Sequence, residues 1–158
     1  MATAAEQASN PTGSTSPFGS SCLTHGIQVT VHPMPEPSHS SPEEHRYVFS
    51  YRVRIENRSD RRVQLLSRSW IIVDADGETK RVEGDGVVGE RPILQAGESY
   101  EYASWCPLET PWGTMEGAYA FQAEPDELLR VSIARFYLVA DGETGTEAGD
   151  QTERSGAS

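Results

Sequence analysis

Gly84-Asp85-Gly86-Val87-Val88-Gly89 spells GxGxxG. In dinucleotide-binding folds this spacing lets backbone N–H groups approach a pyrophosphate. That chemistry needs a strand before the loop and a helix after it, because the helix N-terminus aims the amides and adds its dipole. Residues 79–82 read as the strand. Arg91-Pro92 and the lack of a helical pattern remove the helix, and Asp85 and Glu90 put negative charge where an anion would sit. No Lys follows, so a P-loop fails as well. Two readings of the glycines remain. They build a tight connection that needs positive φ, or Gly84, Gly86 and Gly89 form a helix-free nest of N–H groups for a small anion. The nest requires positive φ at Gly84 and Gly86 and amides that converge on one point.

Other reactive side chains point less clearly to a site. His39-Ser40-Ser41-Pro42-Glu43-Glu44-His45 groups imidazoles and carboxylates, donors that suit cobalt, nickel or zinc. The spacing holds no tight pair on a helix and a proline interrupts it, so it reads as a solvated acidic connection, and no metal ligands are assigned. His25 and His32 are the other histidines. Asp74-Ala75-Asp76-Gly77-Glu78 resembles the start of a calcium loop, but its Gly is fourth where an EF-hand needs it sixth, so it reads as a β-turn. No serine lies in a GxSxG elbow. Cys106 precedes Pro107 and has only acidic neighbours, which raise a thiol pKa. The chain therefore reads as a non-enzyme, with no catalytic residue and no cofactor.

Trp105 and Trp112 flank a connection over 106–112 that Pro107 and Pro111 stiffen. Indoles are common anchors of protein interfaces. With the loop over 84–92 they outline an interaction surface of Glu90, Pro92, Trp105, Pro111, Trp112 and Gly113, for an unidentified protein partner. The alternative is that the indoles cap one end of the fold.

Composition narrows the partners. The 158 residues carry 24 acidic and 13 basic side chains, a net charge of −11. Such a chain is not expected to bind nucleic acid, which needs clustered cations, or anionic membrane surfaces. No apolar run approaches the ~20 residues of a spanning helix. The N-terminus lacks the basic start and apolar stretch of a secretory signal. With only Cys22 and Cys106 as thiols, the expected compartment is the reducing cytoplasm. Twelve of the 13 basic residues are Arg, and Lys80 is the one Lys. Adaptation to molar salt, where the Debye length is ~3 Å, produces such a surface; so does a GC-rich genome.

The elements that must hold these residues are strands. Residues 1–22 and 141–158 are rich in Ala, Ser, Thr and Gly, too poor in apolar side chains to offset ordering costs of ~1–2 kcal/mol per residue. Both are expected to be disordered tails around one domain over 23–140. Within it, Tyr47, Phe49, Tyr51, Val53 and Ile55 alternate with polar residues, as do Ile27, Val29 and Val31, the pattern of half-buried strands. Tyr119, Phe121 and Ala123 form another such face. Val131 and Ile133 begin one whose register shifts near Phe136, as at a bulge. Residues 65–73 are dense enough for a central strand, and Asp76-Gly77 marks a hairpin after them. The fold class is all-β: an antiparallel β-sandwich of the fibronectin type III/immunoglobulin-like kind. The immunoglobulin Cys…Trp…Cys spacing is missing, which favours the fibronectin variant. An exposed edge strand could support a homodimer.

Three blocks in order complete the reading: Leu65-Leu66-Ser67-Arg68-Ser69-Trp70-Ile71-Ile72-Val73-Asp74-Ala75-Asp76-Gly77, then Gly84-Asp85-Gly86-Val87-Val88-Gly89-Glu90-Arg91-Pro92, then Cys106-Pro107-Leu108-Glu109-Thr110-Pro111-Trp112-Gly113-Thr114-Met115-Glu116-Gly117-Ala118-Tyr119. Together they resemble the ApaG family over roughly 23–140. Ser69 stands where the family pattern suggests His, and Trp105 where it suggests a small residue. The resemblance implies a fibronectin-III-like sandwich and a small cytosolic protein without established enzymatic activity. It further implies a link to cobalt and magnesium resistance or efflux, and related domains that look like protein-binding modules.

Overall fold

The computed structural model describes residues 17–140. The expected tails, apart from residues 17–22, lie outside the described residues. Among the described residues nine strands follow one another: β1 (Ser20–Thr24), β2 (Ile27–Pro35), β3 (Tyr47–Asn57), β4 (Val63–Asp74), β5 (Thr79–Asp85), β6 (Ile93–Leu94), β7 (Ser99–Leu108), β8 (Trp112–Ala123) and β9 (Glu127–Val139). Short 3-10 turns at Pro37–His39 and Pro42–Glu44 join β2 to β3. One sheet has the order β1-β2-β3-β7; the other has β9-β8-β4-β5, with β6 on the end of β4. Pairing is antiparallel throughout. The all-β sandwich expected from the alternation is the fold.

The alternation works as the hydrophobic effect requires. Phe49, Tyr51, Val53 and Ile55 of β3 are buried, and so are Ile27, Val29 and Val31 of β2 beside them. They meet Leu65, Tyr119, Phe121, Phe136 and Leu138 of the facing sheet. Each such side chain contributes ~1.5–3 kcal/mol by leaving water. Trp70 stands in the middle, its ring centroid 5.5 Å from that of Tyr51, 5.9 Å from Phe136 and 6.4 Å from Tyr119. The Asp76-Gly77 turn joins β4 to β5; the Asp74 carboxylate accepts from the amides of Asp76 and Glu78, and Gly77 supplies φ +85°. The pairing of β9 with β8 shifts between Ile133 and Phe136.

Two strand limits differ from the expectation. β1 takes in Ser20, Ser21 and Cys22, which the composition assigned to the N-terminal tail. Strand pairing with β2 uses backbone groups and needs little apolar surface of its own. β7 runs through Trp105, Cys106 and Pro107 to Leu108, where the sequence suggested a connection. Pro107 cannot donate to a ladder, but β7 is the last strand of its sheet, where one side needs no donor.

Each sheet ends in two edge strands, so the sandwich has two flanks. On one, β1 meets β9. The Ser20 hydroxyl donates to the Ala134 carbonyl at 2.7 Å, and Thr24 Oγ1 accepts from the Ser132 amide at 3.3 Å. Ala134 lies in the irregular step of β9, whose carbonyl is thereby turned away from the ladder and toward β1. On the other flank, β5 and β7 face each other across a gap.

Candidate functional site

That gap is a cleft of about 550 Å³. The inward phase of β7 supplies Ser104, Cys106 and Leu108; the inward phase of β4 and β5 supplies Arg68, Trp70, Ile72, Lys80 and Val82. The phase follows from the register. Arg68 pairs with buried Tyr119 on one side and with Gly84 on the other. Ile72 pairs with buried Met115 and with Lys80. An arginine thus stands on a core-facing position, and the one lysine stands on the rim of the same space.

Gly84 makes room for that arginine. A Cβ at residue 84 would lie 2.8–2.9 Å from Nη1, Cζ and Nη2 of Arg68. The guanidinium crosses the bare backbone of β5, and Nη1 donates to the carbonyls of Asp85 at 3.0 Å and Gly86 at 2.9 Å. Gly86 has a different duty. Its φ is +61°, and a Cβ there would collide with the Glu90 carbonyl. The Gly86 amide donates to Leu66, while Val87 and Glu90 exchange both backbone bonds around a tight turn with positive φ at Val88 and Gly89. The glycine spacing therefore does not make the expected nest. Gly84 is a strand residue without positive φ, and the amides of Gly86, Val87 and Glu90 are spent within the protein. Asp85 forms an ion pair with Arg91 at 3.4 Å.

The outlined interaction surface is divided. Gly84 lies opposite Arg68 and Gly113 lies opposite Asp74, six residues (68 to 74) along β4. At ~3.3 Å per residue the two loops are about 20 Å apart, at opposite ends of the cleft. Glu90 is exposed at the glycine end, near the Tyr100 hydroxyl, and the Pro92 carbonyl accepts from the Leu65 amide. Pro111, Trp112 and Gly113 lie at the hairpin end. There the Thr110 hydroxyl donates to the Trp112 carbonyl and accepts from the Ala75 amide, locking the two turns together. Trp105 stands between them on β7, 51% exposed, with its ring 5.0 Å from that of His39 and edge-on to it. Trp112 is 46% exposed on β8 of the other sheet, paired with Val139. Neither indole caps the sandwich as a buried lid.

The chemistry within the cleft is quiet. Burial pushes the Cys106 thiol up to about 11, with nearby Lys80 pulling the other way, so it is a thiol and not a thiolate at neutral pH. Burial also raises Tyr51, Tyr102 and Tyr119 above the usual phenol range, and the hydroxyls of Tyr102 and Tyr119 bond to each other. Cys22 and Cys106 are both free. Among the described residues, no three of His, Cys, Asp and Glu gather as a metal-holding group. No helix of the described residues is long and apolar enough to cross a membrane.

Sequence reasoning passed over Arg68 and Lys80. The signal was present: Arg68 alternates in phase with Trp70 and Ile72, and Lys80 with Val82, so each is a cation on an otherwise apolar phase.

Comparison with known proteins follows the same stretch of chain. The ApaG domain model matches residues 37–123. The chain is 48% identical over 118 residues to Protein ApaG of Brucella canis, covering 75% of this chain and 91% of that protein. It is 46% identical over 123 residues to Protein ApaG of Anaeromyxobacter dehalogenans, covering 78% and 97%. Among solved structures, a Bordetella pertussis protein at 44% identity superposes with a TM-score of 0.70, covering 72% of this chain and 92% of its own.

Proposed function

As this chain belongs to the ApaG family, we propose that it is a non-enzymatic binding module of the cytoplasm that acts through a protein partner. The resemblance ties such modules to cobalt and magnesium resistance or efflux, and we assign this chain's part in that homeostasis to the partner it engages. Two free cysteines without a disulfide suit a reducing compartment. The unactivated Cys106 thiol suits a module that binds and does not catalyse.

The observation that carries this reading is Trp105. An indole half in water at the rim of an open cleft is unusual, since tryptophan is highly buried on average. Its ring rests edge-on against His39, so less freedom is lost when a partner covers it. Tryptophan in that setting is a typical hot spot.

The test is partner capture by the full chain from the cytosol of its own cells, set beside thermal unfolding. Trp105→Ala is expected to abolish capture while Tm moves by no more than about 2–4 °C, because an exposed side chain contributes little to stability. If Trp105→Ala captures the same protein as the wild type, the reading fails. Loss of capture in Trp112→Ala alone would move the surface to the outer face of β8 and β9. A second copy of this chain is the other partner that the edge strands admit, and sedimentation of the pure protein distinguishes it.

A further inference from the structure

The cleft has features that a protein-binding rim does not require. In a chain of net charge −11, its inner wall holds a guanidinium and its rim an ammonium, and neither has a carboxylate within ion-pairing distance among the described residues. Arg54, Arg58, Arg61, Arg62, Arg91 and Arg135 have such partners; Arg46, Arg52, Arg81 and Arg130 lack one but are exposed, whereas Arg68 is half-buried. Asp74, Glu78 and Glu109 line the same cleft toward the hairpin end, so the cleft is acidic at that end and cationic at the glycine end, where Arg68 lies.

Arg68 is also pinned in a particular way. A guanidinium has five N–H donors. Both hydrogens of Nη1 go to the carbonyls of Asp85 and Gly86. The edge formed by Nε and Nη2 has no acceptor among the described residues. That edge is the fork that grips carboxylate or phosphate through two parallel bonds. The backbone of β5 thus fixes the plane of the guanidinium before any ligand arrives, and Gly84 exists at that position to let it lie there. Half-buried Ile72 and Val82 form the apolar wall beside the cation, over a buried floor of Trp70 and Met115. Lys80 lies four residues along β5 from Gly84, about 13 Å away at the spacing of a strand. The volume of about 550 Å³ suits a small molecule.

We propose that this cleft binds a small molecule carrying an oxyanion, phosphate or carboxylate, on a flat apolar body. The free edge of Arg68 grips the oxyanion, the body packs on Ile72 and Val82 above the buried Trp70, and Lys80 closes the rim. This site is separate from the glycine loop, whose Gly86, Val87 and Glu90 amides bond within the protein, and it stands or falls independently of the partner reading.

The experiment titrates the isotope-labelled full chain with naphthyl phosphate and with naphthoate, following the side-chain N–H signals of Arg68 and Trp70. Saturable shifts of both are expected, with a Kd in about the millimolar range or tighter. The tighter of the two probes identifies the source of the oxyanion. Naphthol and inorganic phosphate, each lacking one half of the proposed ligand, are expected to bind at least about tenfold more weakly. Arg68→Gln should weaken binding at least about tenfold. Gly84→Ala keeps every charge and meets only the flexible end of Arg68, so it should fold with unchanged Tm and still weaken binding several-fold by displacing the guanidinium. Should Arg68→Gln fail to fold, Gly84→Ala decides. The proposal is overturned if neither probe saturates, if naphthol binds as tightly as the anions, or if Gly84→Ala binds like the wild type. Partner capture by Trp105 is read without any of these ligands, so the two failures remain distinguishable.

Discussion

The two flanks of the sandwich are built from the same kind of element and end differently. Where β1 meets β9, side-chain hydroxyls of one edge strand bond the backbone of the other, through Ser20 to Ala134 and Thr24 to Ser132. Behind that seam lie Val29, Val31, Ile133 and Phe136, all at most 2% exposed. Where β5 faces β7, no such seam forms. The inward phase of β5 offers Lys80, Val82 and Gly84 where β9 offers Phe136, Ile133 and Val131. Arg68 occupies a core-facing position that an aliphatic residue would have filled, and its guanidinium reaches outward across Gly84 to water. A buried cation without a partner costs several kcal/mol. The open flank follows from that: the sheets stay apart where their inward phases carry charge and close where they carry hydrocarbon.

This contrast can be broken at its strongest point first. Phe136 lies on the sealing strand and also touches Tyr51 and Trp70. Phe136→Ala should lower unfolding free energy by ~3–5 kcal/mol in a denaturant titration. A loss of less than about 1 kcal/mol would mean that the seam, not the packing behind it, holds the flank closed. Alkaline pH should next expose the open flank. The Cys106 thiol ionises near its ordinary 9.0 in the unfolded chain and near about 11 in the folded one. Tyr51, Tyr102 and Tyr119 are likewise raised above 10.0. Above those ordinary values the unfolded state releases protons that the folded state keeps, so stability is intact at neutral pH and falls as pH rises through 9 to 11. Tm measured across that range should decline steadily, and ultraviolet titration of the folded protein should find these phenols ionising late. Tyrosines that all titrate together at the ordinary value would contradict the burial of these phenols in the core. The smallest effect belongs to the seam itself. Ser20→Ala removes one hydrogen bond and should cost ~1 kcal/mol, read as a small fall in the denaturation midpoint. An unchanged midpoint would leave the closure to hydrocarbon alone.

Much of this architecture was visible along the chain. The alternation from Tyr47 to Ile55 assigned the two faces of β3 correctly, because side chains in a strand point to opposite sides by turns and only one side is dry. Asp76-Gly77 announced its hairpin, since few residues adopt the positive φ found at Gly77. Three blocks of sequence placed the chain in its family, and the ApaG model and its relatives agree. The glycine spacing was equally visible and its role was not. Gly84 serves an arginine sixteen positions earlier (84 − 68), met only because β4 and β5 fold into register. Trp105 read as part of a loop because Pro107 follows it, while an edge strand accommodates that proline.

Properties of neighbours were therefore legible: strand, face, turn and family. Which strands become edges, which edges meet, and which inward-facing charges share a cavity depend on pairings between residues far apart in the chain. Those pairings are decided by burial of the whole core at once. The two loops singled out by the sequence ended on opposite ends of the cleft for this reason, and Arg68 and Lys80, unremarkable where they stand in the chain, were brought to one space.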